Sequence, residues 1–153
     1  MATIASSMLQ RPRRATATGR LEATRYLVPF GRLLFAAIFL MSVPNHFAQG
    51  TIDHAAAAGV PMANLLVPLS GVLELVGALS VLLGYHARIG ALLLALFLIP
   101  VTLVMHKFWG IAEPMQAQMQ QIMFLKNVAI LGGTCLLMYF GAGPISFDER
   151  AGR

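Results

Sequence analysis

Four stretches of the chain run for about 20 residues each with almost nothing but apolar side chains, the length at which an α-helix crosses the hydrocarbon of a bilayer. They fall at about 26–47 (YLVPFGRLLFAAIFLMSVPNHF), 63–84, 88–107 (RIGALLLALFLIPVTLVMHK) and 121–140 (QIMFLKNVAILGGTCLLMYF). None of them alternates polar and apolar residues as a barrel strand does, so the expected fold is all-α, a polytopic membrane four-helix bundle. A water-soluble fold fails for want of polar surface. The 153 residues are 58% hydrophobic and 11% charged, against roughly 45 to 50% and 25% in soluble domains.

The positions of the charges set the expected orientation. The net charge is +5, but five of the eleven basic residues, Arg11, Arg13, Arg14, Arg20 and Arg25, precede the first apolar run. That placement reads as a topology signal or a contact with anionic lipid, not as a nucleic-acid face. Arg88 lies in the tight connection between the second and third runs, and Arg150 and Arg153 lie in the last residues. In a four-crossing chain all three regions fall on one side, so both termini are expected to be cytoplasmic, in a bacterial inner membrane. The expected organisation is a basic disordered tail over 1–25, the four-helix domain over 26–141, and a C-terminal tail over 142–153. An organelle transit peptide is the alternative for residues 1–20, which are rich in Arg, Ala, Ser and Thr and contain no acid. Between the first two crossings, AQGTIDHAAAAGVPMAN is expected to form a short surface helix ended by Gly59 and Pro61.

Polar residues inside the crossings are the candidates for function, because a charge in hydrocarbon costs about 2.5 to 3.5 kcal/mol on the mildest scale and is rarely turned towards lipid. Glu74 stands in the middle of PLSGVLELVGALSVLLG. Ser70, Gly71, Gly77 and Ala78 share its helical face and would let another backbone approach closely. Arg32 from the inner side and Lys126 from the outer side are both possible partners, and a protonated, neutral Glu74 is the third possibility. Along the first crossing, Arg32, Ala36, Phe39, Val43 and His46 repeat at helical spacing and predict one inward face. His46, His106, Lys126 and Asn127 fall at similar depth in the outer half, beside Phe108 and Trp109. Apolar walls, aromatic rings and a few convergent donors suit the ring and oxygens of a quinone, with histidine able to exchange a proton. Ordinary rim residues or a structural ion pair would use the same side chains.

No metal site is expected: His46 with His106 could ligate a haem, and His54 with Asp53 a zinc ion, but no compact ligand motif is present. The single cysteine, Cys135, excludes an intrachain disulfide and is expected to fill the core.

The ordered set GRLLFAAIFLMSV, GVP, LSGVLELVGALSVLLGYHARIGALLLALFLIPVTLVMHKFW and FLKNVAILGG, over about residues 30–145, resembles the DoxX family of small four-helix integral membrane proteins. Members are linked with thiosulfate-to-quinone electron transfer, quinone detoxification or redox partners at the membrane. The resemblance points to Gly31, Arg32, Glu74, His106, Phe108, Trp109, Lys126 and Asn127. Many relatives place a glycine and a lysine where this chain reads SVPNHF, so His46 rests on the residue reading alone.

The expected function is a membrane subunit of a quinone-linked oxidoreductase. Lys126, Asn127, Arg32, His46, Phe108 and Trp109 would bind the ligand, and His106 and Glu74 would handle protons. No flavin motif, nicotinamide motif or iron–sulfur ligand set is visible, so a soluble or membrane redox partner is expected to supply the electrons. The alternatives are a non-catalytic scaffold that recruits a soluble redox enzyme, and a small-solute transporter, which four short helices would support only as a homo-oligomer.

Overall fold

The computed structural model of the protein describes residues 24–153. The basic tail expected over 1–25 lies outside the described residues except for its last two. Six α-helices follow: α1 Leu27–Ser42, α2 Gln49–Ala57, α3 Ala63–Leu83, α4 Ala87–Met105, α5 Pro114–Phe140 and α6 Phe147–Arg150. Four segments, Leu27–Phe47, Ala63–Leu83, Ala87–Met105 and Pro114–Phe140, are long and apolar enough to cross a membrane. Among the described residues there is no strand. The chain is an all-α polytopic membrane bundle, and the many leucine, isoleucine and phenylalanine side chains on its outer surface are the face such a bundle turns to lipid.

Two boundaries differ from the sequence reading, each for a physical reason. The first crossing does not stay α-helical to its end: Val43–Phe47 is a tighter 3-10 helix with Pro44 in its first turn, where the missing amide hydrogen cannot continue the α ladder. The fourth helix begins at Pro114, not near 121. The Glu113 carboxylate accepts hydrogen bonds from the Met115 and Gln116 amides at 3.0 and 2.5 Å, and Pro114 suits the first helical position. This helix holds the apolar run over 121–140 as its later part. Its 27 residues span about 40 Å, so the polar MQAQMQQ turns continue beyond the bilayer core. The short surface helix expected between the first two crossings is present as α2, and Gly59, at φ +92°, follows its end.

The crossings pack in the order α1, α3, α4, α5. Glycines set the closest approach, between α3 and α4. A Cβ on Gly77 would stand 3.0 Å from the Gly90 carbonyl oxygen and 2.9 Å from Leu94 Cγ, so these two backbones meet where side chains are smallest. Phe39, Ala78, Val81, Ala91, Leu94, Phe97 and Leu98 form the buried core between them. Cys135, expected in that core, is exposed on α5.

At the end of the bundle where both described termini lie, residues after α5 fold back against the α3–α4 turn. Arg32 is buried there, donating from Nη1 to the Ala142 carbonyl at 2.8 Å and from Nη2 to the Ile145 carbonyl at 2.6 Å. Asp148, also buried, accepts from the His86 and Ala87 amides at 2.8 and 2.9 Å and so caps the start of α4. Its own amide donates to the Gly84 carbonyl at 2.8 Å. Gly84 takes φ +62°, a left-handed conformation that glycine adopts at little cost.

Candidate functional site

The opposite half of the bundle holds a cavity of about 700 Å³. Ile38, Phe39 and Ser42 line it from α1, Asn45 and His46 from the 3-10 helix, Ser70 and Glu74 from α3, Phe97, Leu98 and Val101 from α4, and Lys126, Asn127 and Ile130 from α5. Thr51 and Ala55 of α2, with Gly59, Val60 and Pro61, lie over the end away from the termini. The surface helix is thus a roof.

Glu74 is 1% exposed, midway along α3. Its partners are neither Arg32 nor Lys126. The Ser42 hydroxyl makes a short hydrogen bond to Glu74 Oε1, and also reaches the Phe39 carbonyl at 2.8 Å. One hydroxyl proton therefore serves two acceptors. His46 Nδ1 stands 3.3 Å from Glu74 Oε2 and also 3.3 Å from the Ser42 carbonyl. The ring N–H is directed at the carbonyl, so Oε2 is buried with no hydrogen-bond partner among the described residues. A carboxylate oxygen in that condition is costly to keep unless something else meets it.

Gly71 and Phe97 hold His46 in place. A Cβ on Gly71 would come within 2.6 Å of His46 Cβ and 3.1 Å of His46 Cγ, so the histidine lies directly on the α3 backbone one turn before Glu74. On its other side the ring meets Phe97 edge-on, with centroids 5.4 Å apart. The small-residue face read from the sequence is therefore used twice, by the 3-10 helix at Gly71 and by α4 at Gly77.

The structure brings together His46, Glu74, His106, Lys126 and Asn127 of the candidate residues, all on the cavity wall. Asn127 is buried, whereas Lys126 is exposed at the wall's edge. His106 Nδ1 lies 3.0 Å from Gln120 Oε1, a partner that belongs to the polar extension of α5. Arg32 is at the other end of α1, bound to carbonyls. Phe108 and Trp109 pack with Phe124 in a separate aromatic cluster, with centroids 5.4 to 6.0 Å apart, and do not line the cavity. Ser42, Asn45 and Phe97 were not singled out from the sequence. Ser42 could have been: it is three residues after Phe39 and four before His46, on the face that their spacing defines.

Among the described residues no group of three or more His, Cys, Asp and Glu side chains is placed to hold a metal ion.

Fold and site together define a small polytopic membrane protein with a mostly apolar pocket among its crossings that a few polar side chains line. Residues 27–107 match the DoxX family model, and the chain belongs to the DoxX family. It is similar to the inner membrane protein YphA of Escherichia coli (strain K12), 32% identical over 102 residues, which cover 67% of this chain and 72% of that one. It is also similar to the inner membrane protein YqjF of the same organism, 35% identical over 100 residues, covering 65% and 71%. No solved structure matches. The family match contains Arg32, His46, Glu74 and His106 and ends before Lys126 and Asn127.

Proposed function

We propose that the cavity binds a quinone-class molecule and that the protein serves quinone-linked oxidoreduction as a membrane subunit working with a redox partner. One observation carries this reading: a buried carboxylate, Glu74, lines a mostly apolar cavity among the crossings, and among the described residues its Oε2 accepts no hydrogen bond and has only the His46 ring nitrogen beside it, at 3.3 Å. A planar ring fits apolar walls such as Phe39, Phe97, Leu98 and Ile130, and its oxygens need the few polar groups present. A bound quinone or quinol would supply the chemistry of exchanging two electrons and two protons, the quinol giving up its hydroxyl protons as it is oxidised.

The roles of this chain's own residues follow from position. Glu74 Oε2 accepts a hydroxyl proton or shares it with His46. Asn127 and Lys126 donate hydrogen bonds to an oxygen at the other side of the cavity. His106, held by Gln120, is the exchange point nearest the surrounding water. Phe39 and Phe97 exclude water from the carboxylate. Arg32 takes no part in this chemistry.

The same reading places the end with Arg25, Arg88, Arg150 and Arg153 in the cytoplasm, by the excess of basic residues there, and the protein in a bacterial inner membrane like its relatives. The test is denaturing extraction of gently solubilised protein, with released small molecules identified by mass spectrometry. Quinone is expected in proportion to protein from wild type and strongly reduced from Glu74→Gln at equal folded yield. Wild-type protein that releases no quinone but retains a soluble enzyme would be a scaffold.

A further inference from the structure

The bundle is not a closed ring. α1 packs on α3, α3 on α4 and α4 on α5, but no comparable packing joins α5 back to α1. Both of these unjoined helices nevertheless line the cavity, through Ile38 and Ser42 on one side and Asn127 and Ile130 on the other. Ile38 of α1 lines the cavity and is 40% exposed. Below this level Phe35 of α1 bridges the gap to α5. The Phe35 ring lies on Gly133, where an added Cβ would be 2.8 Å from Phe35 Cε2. Above it, α2 and the residues that follow it cover the aqueous end.

From this geometry we infer that the cavity opens sideways into the lipid through a seam between α1 and α5, and that its ligand carries a long apolar tail that leaves through that seam. The inference rests on the quinone reading for the head of the ligand and adds the tail. Around the seam on α1, Leu34, Ile38 and Met41 are all exposed apolar side chains. These three side chains offer a charged solute no donor or acceptor, whereas a hydrocarbon or isoprenoid chain loses nothing by lying against them between the cavity and the bilayer. The head would then meet Glu74 while the tail passes Ile38, with Phe35 on Gly133 as the floor of the opening. Lys126, one turn from Ile130 towards the start of α5 and exposed at the edge of the cavity wall, would mark the seam's outer limit.

The test compares two probes on full-length protein in lipid nanodiscs: a benzoquinone with a long isoprenoid tail and the same benzoquinone without one. Ile38→Trp obstructs the seam, Ile38→Phe does so more gently if the tryptophan variant folds poorly, and Val76→Trp, on exposed α3 surface away from the cavity, is the control. Obstruction is expected to weaken the tailed probe about tenfold or more while the tail-less probe changes by less than about twofold. Equal weakening of both probes, or no change in either, overturns the seam and leaves the quinone site standing. If wild type binds neither probe, the quinone reading falls and this inference with it.

Discussion

Arg32 and Glu74 are both charged residues buried in the bundle, and the chain treats them in opposite ways. Arg32 lies where the chain folds back on itself: two carbonyls take its Nη groups, it is not among the residues that line the cavity, and Asp148 and Gly84 hold the neighbouring turn. Its Nε alone is unpartnered. Glu74 has a shared serine proton on one oxygen and none on the other, beside open space. A buried charge whose needs are met within the chain contributes to the fold, whereas one left short beside a cavity is available to a ligand.

If that contrast is right, stability should depend on the arginine end. Arg32→Met removes two hydrogen bonds from a charged donor and leaves the buried Ala142 carbonyl and the more exposed Ile145 carbonyl unmet, so a loss of about 3 kcal/mol is expected. Denaturant titration in mixed micelles reads it, and the protein that remains folded should hold ligand as wild type does. A loss too small to detect would end the comparison.

Gly84→Ala probes the same junction through the backbone. At φ +62° the new Cβ would stand 2.5 Å from Ser146 Cβ, and the expected cost is about 2 kcal/mol. Asp148→Ala removes only the cap on α4 and should cost about 1 kcal/mol in the same titration. If Asp148→Ala proves the more damaging of the two, the capped turn governs this end of the bundle and the glycine conformation does not.

The sequence conveys these two ends unequally. Four crossings could be read because hydrocarbon imposes length and composition directly, and the inward face of α1 could be read because helical spacing does the same. The partners of the buried charges could not. Arg32 binds backbone carbonyls, which leave no signature in side-chain identity. Glu74 turned out to meet Ser42 and His46 because the 3-10 turn at Pro44 brings His46 onto Gly71, a tertiary approach that no spacing along one helix specifies. Phe108 and Trp109 share an approximate depth with the cavity residues, but depth alone does not say which way a side chain faces, and theirs face Phe124. The start of α5 was missed because Glu113 and Pro114 are a capping signal that lies outside the apolar run.

The smallest expected stability effect is the sharpest test. Glu74→Gln keeps the size of the side chain, and Ser42 can donate to the amide oxygen or accept from the amide nitrogen. The unfolding midpoint should therefore move by less than about 0.5 kcal/mol, although the residue is 1% exposed at the centre of a crossing. Retention of ligand should fall more than in any variant at the arginine end, because the amide cannot take up or carry the proton that the carboxyl group lining the cavity can. Should Glu74→Gln unfold the protein as readily as Arg32→Met does, Glu74 belongs to the fold in the same sense as Arg32, and the difference between the two ends disappears. An unmoved midpoint together with lost ligand would show that the carboxylate was kept for what enters the cavity.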